Sequence, residues 1–182
     1  MDFLASAPAK GKNTYTLVAA PGTQDHLNAL PMAAAKDGVV TVDTGAVRFT
    51  VKEKGFNLFD EVWVGKKRVV ASHAGGLRLV SSHMGLKENK VYTANAYDRT
   101  TVEIEEQNDM KVVVKVTGQH VSTDDLPGPK RLLDYKLRIY AFRDSPAVRV
   151  VYTVMNKQED RIHVPLPVDG IVVDLPMNVA LD

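Results

Sequence analysis

The chain has 182 residues, enough for one domain with a substantial core, and its 45% hydrophobic and 25% charged residues exclude a disordered protein. Its 23 basic and 22 acidic residues leave a net charge of +1 without a basic cluster, so no nucleic-acid partner is expected. The lack of cysteine excludes disulfides and thiolate metal sites, and no apolar run reaches the roughly 18 residues of a membrane span, so no membrane partner is expected.

The first part of the chain carries few signals of regular structure. Residues 13–19 are predicted to form a short strand, which ends at Pro21 and Gly22. Residues 23–36 are predicted to be a linker with a helical turn, because Pro31 removes a backbone donor from any longer helix.

From Val39 onward, apolar and polar residues alternate with a period of two, which is typical of half-buried antiparallel strands. The first two strands are predicted at residues 39–44 and 46–52, separated by Gly45. Further strands are predicted at residues 68–72, 76–82, 91–96, 100–107, 111–118, 132–142, 147–156 and within 160–175. Residues 124–130 hold two prolines and a glycine and are therefore expected to form a loop.

About ten short strands with hardly a helix predict an all-β domain, either an antiparallel β-sandwich or an open β-barrel. The strands on either side of Asn108-Asp109 are expected to pair, and so are the two long strands 132–142 and 147–156. The inward faces of the strands are expected to form the core, with these members: Val47, Phe49, Val51, Leu137, Ile139, Val150 and Tyr152.

Two motifs carry a family resemblance. D-T-G-A-x-R-F-x-V runs from Asp43 to Val51, and F-N-L-F-D-x-V-W runs from Phe56 to Trp63. They resemble the first β domain, a RIFT-barrel-like domain, of the large bacterial exo-type rhamnogalacturonan lyases. The resemblance implies a secreted or periplasmic parent protein, whereas the residues themselves do not decide localisation.

The resemblance also implies that the chain is a fragment of a longer protein. Residues 1–36 are then a partial strand and linker from a truncated N-terminal part, residues 37–176 the main antiparallel β domain, and residues 177–182 the start of a downstream domain. A strand that has lost its partner is expected to leave an open edge, through which the chain would self-associate.

Lyase chemistry on a uronic-acid glycan requires a group that neutralises the carboxylate, a base and an acid. Residues of suitable type are scattered along the chain: His73, His83, Tyr92, Tyr97, Arg99 and His120. No spacing places two of the histidines together on one strand face, and surface or loop positions explain them better. The resemblance implies that the catalytic residues lie in a later helical toroid domain, so no catalytic residue is assigned.

A metal or cofactor site has little support. Asp124 and Asp125 lie in a loop, but the EF-hand spacing is absent, and a solvated turn explains them better. Neither glycine-rich nucleotide-binding pattern occurs. No cofactor is expected.

A glycan surface has a better case, because sugars bind to aromatic faces and planar polar side chains. The candidate glycan-binding residues are Trp63, Tyr92, Asn95, Tyr97 and Arg99. A purely structural role for each of these residues is nevertheless the preferred interpretation from the sequence. Trp63 continues the alternation from Phe59 and fits the core, and the segment from Tyr92 to Arg99 fits ordinary strand and loop positions.

Three classes of function follow. The leading one is a noncatalytic β domain of a polysaccharide lyase-like protein acting on pectic, rhamnogalacturonan-type glycans, which packs against the catalytic domain or lines its groove. The alternative is a free-standing carbohydrate-binding module, and the third is a small β enzyme, for which no constellation is found. No activity is expected from this chain alone. The expected partners are therefore a pectic glycan and a catalytic domain of the same polypeptide.

Overall fold

The computed structural model describes residues 5, 8–16, 30–70, 76–82, 89–157 and 168–177, and they form an all-β domain of two antiparallel sheets. The five-stranded sheet has the order β1-β2-β3-β4-β5. Its strands are β1 (Ala33–Lys36), β2 (Val39–Asp43), β3 (Val47–Lys52), β4 (Glu61–Val64) and β5 (Lys67–Val70). No helix long and apolar enough to cross a membrane is found in the part of the chain that is described.

The second sheet has seven strands in the order β11-β10-β9-β7-β6-β12, with β8 also paired to β9. Its strands are β6 (Gly76–Ser81), β7 (Lys90–Thr93), β8 (Thr101–Gln107), β9 (Lys111–Val121), β10 (Arg131–Phe142), β11 (Val148–Met155) and β12 (Gly170–Asp174). The predicted all-β class and the predicted pairings of β8 with β9 and of β10 with β11 are confirmed.

The N-terminal edge of the five-stranded sheet differs from the prediction. Residues 33–36 were expected in a linker with a helical turn, but they form β1, which pairs with β2. Asp37 and Gly38 connect the two strands, and both have positive φ angles, of 51° and 73°. This Asp-Gly turn matches the right-handed twist of a hairpin, and it is a stronger local signal than the weak helical pattern before it.

Other predictions for the first part of the chain are only partly covered. Residues 13–16 of the predicted strand 13–19 are described and are not in a strand, while residues 17–19 lie outside the described residues. Half of the predicted linker 23–36 and half of the predicted strand region 160–175 also lie outside them.

The core lies between the two sheets and contains most of the predicted residues. Val47, Phe49, Val51, Leu137 and Ile139 are buried, which confirms the predicted faces of β3 and β10. Tyr152 is partly buried against the core, whereas Val150 is 37% exposed. Both lie on the core-facing side, since they pair with Leu137 and Ile139, but β11 is the last strand of the sheet and is only partly covered.

Contacts at the sheet edges join the two layers. β8 of the seven-stranded sheet runs close to β1, where the Ala33 amide donates a hydrogen bond to Gln107 Oε1 at 2.7 Å. The chain beyond β12 reaches the opposite edge, where Met177 pairs with Val70 of β5. These contacts leave the two outer faces as the broad surfaces on which a ligand site can form.

Candidate functional site

A row of four side chains crosses the outer face of the five-stranded sheet. In the strand register, Asp43 of β2 is opposite Arg48 of β3, Arg48 is opposite Trp63 of β4, and Trp63 is opposite Arg68 of β5. Directly paired residues of antiparallel strands lie on one face. Val47 and Phe49, the neighbours of Arg48, are buried, so this row points away from the core.

Trp63 is therefore not a core residue, and its interpretation as one is wrong. The segment before β4 contains Leu58 with a positive φ of 75°, so the alternation that includes buried Phe59 is reset before Glu61. The Trp63 ring is half-buried, and two guanidinium groups lie over it, with Arg48 Cζ at 5.3 Å and Arg68 Cζ at 5.9 Å from the ring centroid. Cations over an indole face are attracted by the ring quadrupole.

Glu61 fixes the orientation of this row. One of its carboxylate oxygens accepts a hydrogen bond from Trp63 Nε1 at 3.2 Å, and the other accepts one from Arg68 Nη1 at 3.2 Å. The single carboxylate thus holds the indole and neutralises one of the two arginines. The indole and the Arg68 guanidinium are therefore preorganised without a ligand.

A groove of about 380 Å³ opens beside Trp63. It is lined by Asp43, Gly45, Ala46, Val47, Arg48, Trp63, Gly65 and Lys66. Two tight turns shape it, and they contain Gly45 and Gly65 with φ angles of 91° and 57°. We refer to it as the Trp63 groove.

The turn at Gly45 is supported from the other sheet. Thr44 Oγ1 donates to the Ser145 carbonyl at 2.9 Å, and the Thr44 carbonyl accepts from the Asp144 amide at 2.7 Å. Asp43 Oδ1 accepts a hydrogen bond from the Gly45 amide at 2.9 Å. The wall of the groove is therefore tied to the β10–β11 connection and is rigid.

The outer face of the seven-stranded sheet has a different electrostatic character. Arg138 donates two hydrogen bonds to Glu105, at 2.5 and 2.8 Å, and these bonds lower the pKa of the Glu105 carboxyl. Lys115 forms ion pairs with Glu103 and Glu105. The charges in this region compensate one another, as expected of a solvent-facing sheet surface.

Tyr97 and Arg99 lie in a smaller groove of about 170 Å³ beside β9 and β10 of that sheet. The other lining residues are Thr117, Gly118, Gln119 and Asp134. The guanidinium of Arg131 lies 5.5 Å from the centroid of the Tyr97 ring. The structure thus brings together Tyr97 and Arg99, two of the five predicted glycan-binding residues. They lie beside the seven-stranded sheet, whereas Trp63 belongs to the five-stranded sheet.

The remaining two glycan candidates do not complete a platform. Tyr92 is fully buried, and its hydroxyl donates to the Pro129 carbonyl at 3.1 Å. Burial raises the pKa of this hydroxyl, with a further contribution from the charge of Asp124. Asn95 is exposed in the connection between β7 and β8. The expected single surface from Tyr92 to Arg99 is therefore not formed, because Tyr92 of β7 is buried whereas Asn95, Tyr97 and Arg99 lie in the connection that follows this strand.

A buried lysine forms a contact that the sequence did not indicate. Lys90 of β7 has no exposed side-chain surface, and its ammonium group contacts Asp124 Oδ1 at 2.9 Å and the Leu126 carbonyl at 2.6 Å. Desolvation opposes ionisation of Asp124, but hydrogen bonds, chiefly from Lys90, outweigh it and lower the pKa of this carboxyl. Asp124 is thus engaged by a protein cation, and no cluster of metal ligands is found among the residues described.

His120 is buried and has both ring nitrogens engaged. Nδ1 lies 2.9 Å from the Leu133 carbonyl, which can only accept, so Nδ1 carries the hydrogen and Nε2 accepts from the Tyr152 hydroxyl. Burial lowers the pKa of this imidazole, so the ring is neutral at neutral pH.

The catalytic candidates are not brought together in the described structure. His120 and Tyr92 are buried in the domain, and Tyr97 and Arg99 line the smaller groove. His73 and His83 lie outside the described residues.

A family model described as "PcRGLX-like protein central beta sandwich domain" matches residues 32–181, a range that contains all the strands described. The description specifies a central domain, whereas the motifs in the sequence resembled the first β domain of a rhamnogalacturonan lyase. A search of the curated proteins found no match.

Proposed function

The chain belongs to the family of PcRGLX-like protein central β-sandwich domains, which is rhamnogalacturonan lyase-like, and on this premise we propose that it is a noncatalytic domain of a polysaccharide lyase-like protein. The parent protein acts on pectic glycans of the rhamnogalacturonan type. The domain packs against a catalytic domain of the same polypeptide and contributes one wall of the glycan groove.

The Trp63 groove is the observation that carries this proposal. An aromatic ring, a planar guanidinium and a carboxylate are groups with which proteins hold sugars, and here Trp63, Arg48 and Asp43 line one concave surface. The rigid turn at Gly45 and the hydrogen bonds of Glu61 hold these groups in place before a ligand arrives, which reduces the entropy lost on binding.

The alternative is a free-standing carbohydrate-binding module, and the same groove supports it. The two functions differ in how much of the affinity resides in this chain. A module binds equally well alone and within a longer polypeptide. A groove wall binds weakly alone and at least about tenfold more tightly when the catalytic domain supplies the opposite wall.

Calorimetric titration of the purified chain with rhamnogalacturonan oligosaccharides tests the proposal. We expect measurable binding that Trp63→Ala reduces by at least about tenfold, because the indole lines the groove and positions both guanidiniums. Tyr140→Ala is the matched control. Tyr140 also carries a guanidinium, that of Arg149 at 5.6 Å, but lies on the outer face of the other sheet.

Unchanged affinity of Trp63→Ala, or an equal loss in Tyr140→Ala, would show that the glycan does not contact the Trp63 groove. No binding of any rhamnogalacturonan fragment, alone or in the longer polypeptide, would overturn the proposed function itself. Circular dichroism of each variant verifies that the fold is retained.

A further inference from the structure

We propose that the Trp63 groove recognises a carboxylate of an acidic sugar through the guanidinium of Arg48. This inference rests on the proposed function, since it assigns a ligand chemistry to the same groove. It makes Arg48 the residue that determines specificity.

Two cations lie over the indole of Trp63. Arg48 and Arg68 come from the two strands that flank β4, and their guanidinium carbons lie within 6 Å of the Trp63 ring centroid at 5.3 and 5.9 Å. A sugar ring binds an aromatic side chain by laying its C–H surface on an open ring face. Because each flanking strand places a guanidinium over the Trp63 ring, the indole holds two cations, and the charged groups around it are mainly cationic.

The two arginines beside Trp63 differ in whether an ion pair neutralises them. Glu61 already pairs with Arg68 at 3.2 Å. Arg48 and Lys66 have no ion pair within the part of the chain that the structure describes, and both line the groove. A guanidinium that is positioned but not neutralised is the natural partner of a carboxylate, which it binds through two parallel N–H···O bonds.

Asp43 adds a hydrogen-bond acceptor to the groove. Asp43 is the only acidic residue among the eight that line it, and its Oδ1 accepts from the Gly45 amide at 2.9 Å. A carboxylate at that position accepts a sugar hydroxyl next to the acid group that Arg48 holds. The groove volume of about 380 Å³ accommodates a sugar residue with its neighbours extending along the sheet. Carboxylate and hydroxyl together define a uronic acid as the class of ligand.

A pair of glycans that differ only in the acid group provides the test. The purified chain is titrated with an oligogalacturonate and with its fully methyl-esterified form, in which the same sugar rings carry no charge. We expect the free acid to bind at least about tenfold more tightly, and this difference to shrink as salt is added. Arg48→Gln is expected to abolish the preference, and Arg48→Lys to retain part of it, since an ammonium keeps the charge without the planar fork.

Arg149→Gln is the control, since it removes a guanidinium that lies over an aromatic ring on the other sheet. Arg48 is exposed, so the variants are expected to fold, and their melting temperatures verify this. Equal affinity for acid and ester would overturn the inference while leaving the proposed function intact. No affinity for either glycan or for rhamnogalacturonan would count against the proposed function. Equal binding of poly-glutamate, or an equal effect of Arg149→Gln, would reduce the site to a nonspecific anion surface and overturn the inference.

Discussion

At Gly118 of β9, the missing side chain makes room for the ring of Tyr135 on the neighbouring strand. A Cβ added there would lie 2.5 Å from Tyr135 Oη and 2.7 Å from Cζ, which is closer than any real contact. The ring cannot easily move, because it stacks on Phe56 and its hydroxyl lies 3.3 Å from Thr100 Oγ1. Gly118 therefore permits the largest aromatic cluster of the core to form next to a continuous strand.

We expect Gly118→Ala to lower the free energy of unfolding by about 1–3 kcal/mol, the usual range for an overpacked core. Gly170→Ala is the matched control, since a Cβ at this strand glycine meets nothing within 4 Å and its φ is unstrained. That variant is expected to change stability by less than about 0.5 kcal/mol. Urea unfolding of both variants measures the difference, and equal stabilities would contradict the packing described around Tyr135.

Between β9 and β10, the connection is held to the body of the sheet by Lys90. The buried ammonium joins the Asp124 carboxylate to the Leu126 carbonyl, and the neighbouring Tyr92 hydroxyl bonds to Pro129. A connection with two prolines and a glycine has few bonds of its own, so these contacts from β7 determine its position. The loop was predicted from its prolines, but its anchor was not.

Asp124→Asn is expected to cost about 2 kcal/mol of stability, because it leaves a fully buried ammonium without its counter-charge. Asp174→Asn provides the comparison. Asp174 pairs with Arg78 across β12 and β6, where both side chains are about half exposed, at 45% and 50%. Its removal is expected to cost less than about 1 kcal/mol. Thermal unfolding distinguishes the two, and similar shifts in the melting temperature would indicate that Lys90 is solvated in solution.

Strand β11 forms one end of the seven-stranded sheet, and no other described strand pairs with its outer edge. The predicted self-association of the chain through an open β edge stays a prediction, with β11 as the candidate edge. Analytical ultracentrifugation over a range of concentrations measures it directly.

For the molecule as a whole, we expect the isolated chain to have no lyase activity on any uronic-acid glycan. The chemistry requires a carboxylate neutraliser, a base and an acid within hydrogen-bond reach of one sugar ring. Arg48 offers a neutraliser, but no histidine or tyrosine is among the described residues that line the Trp63 groove, and its one carboxylate, Asp43, already accepts a hydrogen bond from the Gly45 amide. Following the absorbance of the unsaturated product on rhamnogalacturonan is the direct measurement, with an active lyase as the control for the substrate. A steady rise in this absorbance that disappears on replacing His73, His83 or Tyr97 would contradict the prediction and would show that the chain has an active site.

Much of the fold was predictable because the period of two in a strand is a local property. It correctly identified β2, β3 and the strands from β5 onward, but gave no separate strand for β4, and it identified the β8–β9 and β10–β11 pairings and the buried faces of β3 and β10. The motif from Asp43 to Val51 also indicated the family, which the match over residues 32–181 confirms. The sequence-level prediction failed where a residue's surroundings depend on chain segments distant in sequence.

The sequence by itself thus determined which residues share a face, and the tertiary structure decided which face is covered. Val150 lies on the expected side but is exposed, because β11 is an edge strand. Lys90 is buried because the connection between β9 and β10 folds over it. Trp63 lies on the outer face because the irregular segment around Leu58 resets the alternation before β4, which brings Arg48 and Arg68 to its two sides. Alternation specifies two faces equally well, and only the packing of one sheet on the other removes one of them from water.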